Sequence, residues 1–148
     1  MTPLQRFGAY AQDFEATFKD DDWSRLAQYF APDATYEVSG DPFTCSIRGR
    51  DAIFAGIKKS LDGFDRRFTT RDIALESAPV VEGDTVSLSW AVTYGRPGTP
   101  PLVLRGRSSA TYDDGRIARL TDSYDAGALG SVRAWMAEHG RDLDPSYV

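Results

Sequence analysis

One cysteine and one histidine in 148 residues remove two kinds of chemistry at the outset. A lone cysteine forms no disulfide within its chain, and one Cys with one His cannot assemble a zinc site of the usual nitrogen-and-sulfur kind. Basic residues are the minority, 17 against 22 acidic for a net charge of −5. Phosphate backbones and anionic membranes both need a basic face, so neither nucleic acid nor a membrane is expected as partner. Nowhere do about 18 apolar residues follow one another, as a spanning helix would need. The opening Met1-Thr2-Pro3-Leu4-Gln5-Arg6 also lacks the charged region and apolar run of a signal peptide. A cytoplasmic protein is therefore expected. Aromatic residues are abundant instead, with 3 Trp, 7 Tyr and 8 Phe among 41% hydrophobic residues, ample for one core. The length suits one domain over residues 1–140 with a loosely held tail over 141–148.

Thr2, Pro3 and Gln5 read as a capped helix start, and Phe7, Tyr10, Ala11, Phe14 and Phe18 follow at helical spacing. Asp20-Asp21-Asp22 reads as the solvated cap of a short second helix carrying Trp23, Leu26, Ala27 and Phe30 and stopped by Pro32. The triplet lacks the alternating ligands and later Glu of a calcium loop, so no metal is expected. Strands are expected at Ala34–Val38 and around Cys45–Ile47, and a third helix runs from Gly49-Arg50-Asp51 to Gly63. Lys58-Lys59 and Arg66-Arg67 are expected to face solvent.

Beyond Gly63 the period changes from 3.6 to 2, the signature of consecutive strands. Four are expected, at Phe68–Ser77, Thr85–Gly95, Leu102–Tyr112 and Arg116–Tyr124, before a last helix over Ala126–His139 with Asp125 as its cap. Helices followed by an antiparallel meander make an α+β fold. Alternation sets the inner face: Val86, Leu88, Trp90, Val92 and Tyr94 on one strand, Leu102, Leu104, Gly106, Ser108 and Ala110 on the next. Arg105 and Arg107 then face outward, while Leu120, Asp122 and Tyr124 share the inner side of the last strand.

Three pieces, in their order and spacing, resemble the SnoaL-like branch of the nuclear-transport-factor-2-like superfamily. They are Trp23-Ser24-Arg25-Leu26-Ala27-Gln28-Tyr29-Phe30-Ala31-Pro32-Asp33-Ala34-Thr35-Tyr36, Arg48-Gly49-Arg50-Asp51-Ala52-Ile53, and Asp114-Gly115-Arg116-Ile117 leading into Asp122-Ser123-Tyr124-Asp125. The resemblance implies a cone, a curved antiparallel sheet wrapped around a long N-terminal helix, with a pocket between sheet and helices. It also implies a homodimer through the outer sheet face. The fold hosts cyclases, epoxide hydrolases, isomerases, dehydratases and non-catalytic binders, so function has to come from the site. The last aspartate of the epoxide-hydrolase triad falls on Asp122, but its two partner positions hold Ser89 and Ala91 in one register and Trp90 and Val92 in the other. The hydrolase tyrosine falls on Tyr36, with Val38 where its asparagine would be. The ketosteroid-isomerase base also falls on Val38 and the oxyanion tyrosine on Phe14. In the SnoaL-like cyclases one aspartate does the acid/base work, and its place corresponds to Asp122.

The expectation is a cofactor-free protein holding a small, largely apolar organic molecule and performing cyclisation, isomerisation or hydration. Asp122 would move the proton and Tyr36 would hold an oxygen, with Phe14, Phe18, Val38, Phe54, Trp90, Leu104, Gly106, Leu120 and Tyr124 lining the space. Small Gly106 and Ser108 are read as leaving room beneath the helix. The alternative is a non-catalytic binding or structural dimer of the same fold.

Overall fold

The computed structural model describes residues 1–148. Helix α1 (Pro3–Asp20) starts on a capping box: Thr2 Oγ1 accepts from the Gln5 N–H at 3.1 Å, and the Gln5 side chain accepts from the Thr2 N–H at 2.8 Å. Two otherwise orphaned amides are thus satisfied, as a new helix end requires. The aromatic stripe of α1 then meets the sheet, with Tyr10 edge-on to Phe30 at 5.3 Å between ring centres.

The expected second helix is a 3₁₀ turn over Trp23–Tyr29. It ends before Pro32, because strand β1 (Phe30–Ser39) has already begun. The acidic triplet does not serve as a solvated cap either. Asp20 pairs with Arg25 at 2.6 Å, and Asp21 pairs with Lys58 at 2.8 Å and Arg66 at 3.0 Å. Lys58 and Arg66 therefore tie α2 and the segment after it to the end of α1 rather than standing free in solvent.

Strand β2 (Cys45–Arg48) and helix α2 (Arg50–Gly63) follow, then β3 (Thr70–Leu75), β4 (Val80–Glu82), β5 (Thr85–Gly95), β6 (Leu102–Asp113), β7 (Arg116–Tyr124) and helix α3 (Ala126–His139). The sheet has seven strands in the order β2-β1-β7-β6-β5-β3, with β4 also on β5. Every pairing is antiparallel except β1 with β7, which run parallel. The intervening chain between those two strands is long enough for the crossover that a parallel pair needs. The strand expected over Phe68–Ser77 is the shorter β3, and β4, which was not expected, follows it on the same edge of β5. Glu76–Pro79 stand opposite only Leu88 and Ser89 of β5, and Pro79 brings no N–H to the ladder. The expected alternation holds on β6, whose buried positions are Leu102, Leu104, Gly106, Ala110 and Tyr112 while Arg105 and Arg107 are exposed. Asp125 stands at the start of α3, yet its side chain makes no capping hydrogen bond. No helix is long and apolar enough to cross a membrane.

The chain after α3 is not loose. Leu143 and Pro145 are buried, the Asp144 N–H donates to Gly63 O at 2.9 Å, and Ser60 Oγ donates to Pro145 O at 2.7 Å. Two glycines of α2 make this docking possible. A Cβ on Gly63 would lie 2.0 Å from Asp144 O, and one on Gly56 would lie 3.0 Å from Tyr147 O. The tail lies in a groove that side chains would fill, and it delivers Tyr147 against Tyr36, 5.6 Å between ring centres.

Candidate functional site

The inner face of the sheet, α1, α2 and the docked tail line a cavity of about 280 Å³ that opens to solvent. Its wall is apolar, 19 of 25 lining residues being hydrophobic, so the few polar groups that enter it stand out. They gather at two places.

The first is Asp122 on β7. Its Oδ2 accepts from the Tyr36 hydroxyl of β1 at 2.6 Å, and its Oδ1 accepts from Ser108 Oγ of β6 at 2.6 Å. Ser108 Oγ in turn accepts from the Trp90 indole N–H of β5 at 2.9 Å. Sheet register accounts for the cluster, because Asp122 is the partner of Ser108 and Ser108 of Leu88, with Trp90 one inward position away. Burial pushes the Asp122 carboxyl above the ordinary carboxylate range, and the two hydroxyl donors pull the other way without overcoming it. Burial, and then the neighbouring Asp122, push the Tyr36 phenol well up, so Tyr36 is a hydrogen-bond donor at physiological pH. No cationic side chain lines this end of the cavity.

The second is Asp65, in the short 3₁₀ turn Asp65–Arg67 after α2. It accepts from Arg71 Nε of β3 at 2.9 Å and from the Tyr94 hydroxyl of β5 at 3.1 Å. Arg71 Nη1 also meets both oxygens of Glu15 of α1 at 3.1 Å. Burial raises the Asp65 carboxyl, against the downward pull of Arg71 and Tyr94.

Of the residues expected around the space, Tyr36, Phe14, Trp90, Leu104, Leu120, Asp122 and Tyr124 face it. Four do not. Phe18 lies beneath two guanidinium groups, Arg71 at 4.7 Å and Arg66 at 5.4 Å. Phe54 packs into the core on Phe30 and Trp23. Val38 is 2% exposed, packed in the core beside Asp122 in the sheet, and does not reach the cavity. Gly106 leaves no room, because the Trp90 ring occupies it: a Cβ there would lie 2.8 Å from Trp90 Cη2. Ser108 does line the cavity, with its hydroxyl held by Asp122 and Trp90. The sequence reading missed Asp65, Arg71, Glu15 and Tyr147. Alternation could have found Arg71, which shares its strand face with the cavity residues Ile73 and Leu75. Nothing local marks Asp65 or Tyr147.

The SnoaL-like domain family matches residues 11–120, about three-quarters of the chain. The chain belongs to that family. Solved structures agree on the fold of this SnoaL-like protein. A nuclear-transport-factor-2-like protein from Burkholderia xenovorans superposes with a TM-score of 0.62 at 21% identity, covering 88% of this chain and 96% of that one. TerC, crystallised with polyporic acid, gives 0.66 at 18% identity over 92% and 98%. A protein of ketosteroid-isomerase-like fold from Catenulispora acidiphila, in complex with trimethylamine, gives 0.60 at 16% identity over 81% and 88%. Among curated proteins none matches the sequence. On β5, Trp90 and Val92 line the cavity, and Ser89 and Ala91 do not.

Proposed function

We propose that this SnoaL-like protein holds a small, largely apolar organic molecule in its cavity and that Asp122 exchanges a proton with it. The observation that carries the reading is a carboxyl on an apolar cavity whose partners are both hydroxyls. A hydroxyl donates to a carboxylate and can turn to accept from a carboxylic acid, so Asp122 can lose or gain a proton without stranding a partner. Its raised proton affinity moves it toward the range where it can serve as acid as well as base. Tyr36 orients the carboxyl and, turned toward the cavity, donates to an oxygen of the bound molecule. Cyclisation, isomerisation and hydration need no more than this and a site shielded from water. That TerC was crystallised with polyporic acid and the Catenulispora protein with trimethylamine supports a small-molecule role for this fold.

The test joins a titration to a substitution. The Asp122 carboxyl carbon, followed by NMR, is expected to titrate above the ordinary ~3.9, and Asp122→Asn is expected to keep the fold and ligand binding while abolishing turnover. An ordinary titration with undiminished turnover removes Asp122 from the chemistry. A second reading, a binder without chemistry, is favoured by the absence of charged groups among the β5 residues that line the cavity, Leu88, Trp90, Val92 and Tyr94; turnover lost in Asp122→Asn argues against it. The reading also includes a homodimer through the outer sheet face and a cytoplasmic location. On that face Arg105 pairs with Glu76 of its own chain at 3.1 Å, leaving Arg107 for a partner. A monomeric mass by sedimentation at micromolar concentration removes the dimer.

A further inference from the structure

The Arg71 end of the cavity has no part in the chemistry assigned to Asp122, and its hydrogen bonds are incomplete. A guanidinium has five N–H donors, one on Nε and two on each Nη. Asp65 takes Nε, and Glu15 faces Nη1 with both oxygens. Nη2 has no partner within the protein. The group is held in place: its side chain is 12% exposed, it lies over the Phe18 ring at 4.7 Å, and it lines the cavity together with Asp65, Glu15 and Tyr94. Two carboxylates on one guanidinium leave no surplus positive charge there, and Arg71 is the sole cationic side chain on the cavity wall. Any anion brought in would face Glu15, Asp65 and Asp122 with nothing to neutralise it. An uncharged oxygen acceptor meets a ready donor at no such cost.

We propose that Arg71 anchors a neutral oxygen acceptor, a ketone or similar carbonyl, so that the molecule held in the cavity carries an uncharged polar group at the end away from Asp122. The inference rests on the cavity being a ligand site, as proposed above, but not on Asp122 performing chemistry. It names a substrate class: neutral, mostly apolar molecules bearing a carbonyl, with their carboxylate counterparts rejected.

Three probes of nearly one shape test it by calorimetry: 2-acetonaphthone, 2-isopropylnaphthalene and 2-naphthoate. The ketone is expected to bind about tenfold more tightly than the hydrocarbon, the size of effect a hydrogen bond to a charged group can supply, and the carboxylate more weakly than the ketone. In Arg71→Met the ketone is expected to lose its advantage over the hydrocarbon, while Asp122→Asn keeps it. Glu15→Gln, at a half-exposed position that should not disturb folding, is expected to raise affinity for 2-naphthoate severalfold. Should Arg71→Met fail to fold, the Arg71 guanidinium nitrogen signals of the wild-type protein serve instead, and the ketone is expected to shift them where the hydrocarbon does not. Equal affinity for ketone and hydrocarbon, tighter binding of the carboxylate, or a ketone preference that survives Arg71→Met and vanishes in Asp122→Asn overturns the anchor. Loss of turnover in Asp122→Asn with any of those results would leave the acid/base reading standing and the anchor gone.

Discussion

Asp122 and Asp65 are two carboxyls on one cavity, both pushed up by burial, yet their partners differ in kind. Asp122 is met by two hydroxyls, groups that can reverse the direction of their hydrogen bonds. Asp65 is met by a guanidinium as well as a hydroxyl, and a guanidinium can only donate. Partners that reward only the charged form make a structural ion pair. Partners that favour the carboxylate but can turn to accept from the acid make a group that can exchange protons. The chemical character of each carboxyl is thus set less by its depth than by whether its neighbours can follow a proton.

The sharpest way to break that contrast is to delete one carboxyl at a time. Asp65→Ala leaves Arg71 partly uncompensated inside the protein and is expected to cost about 3 kcal/mol in urea denaturation, the low end for a broken buried pair because Glu15 remains. If that loss is no larger than for Asp122→Asn, the distinction between the two ends is wrong.

A smaller effect separates the charge states of Asp122. Since folding raises its proton affinity, its contribution to stability is full below the unfolded value near ~3.9 and is lost as the pH rises through the folded value. Asp122→Asn cannot ionise. Its stability relative to wild type is therefore expected to improve between pH 4 and pH 8, by ~1.4 kcal/mol for each tenfold by which folding strengthens proton binding. Parallel stability curves for the two proteins would contradict this.

Smaller still is Ser108→Ala. It removes the donor to Oδ1 and the acceptor of the Trp90 N–H, with an expected cost of about 1 kcal/mol. The Asp122 titration is expected to move further upward by NMR, because a group favouring the carboxylate has gone. A downward move would show that Ser108 favours the acid form instead.

How much of this the chain announced depended on how local the cause was. The α1 capping box and the face alternation of β5 and β6 involve neighbours in sequence, and they were legible in Thr2, Gln5 and the period-two runs. Asp122 and Tyr36 could be named from alternation and family resemblance together. Gly106 was misread because the small residue and the ring that fills its space lie on different strands, paired only through the β5–β6 register. Strand β4 escaped notice since it has just three residues, all exposed, and so no buried side to betray its period. Asp65, Arg71 and Glu15 come from three separate elements, and no spacing in one segment encodes their meeting. The tail left a faint trace in Gly56 and Gly63, small residues a helix would otherwise avoid, but a glycine shows that something approaches without saying what.

Of the three tryptophans, only Trp90 lines the cavity, and its indole is hydrogen-bonded into the Asp122 cluster through Ser108. The protein therefore carries a built-in optical reporter: whatever enters the space, or alters the charge beside it, changes the surroundings of one emitting ring while Trp23 and Trp135 remain outside the cavity wall. Replacing those two with phenylalanine would leave a single fluorophore through which occupancy could be followed without a label.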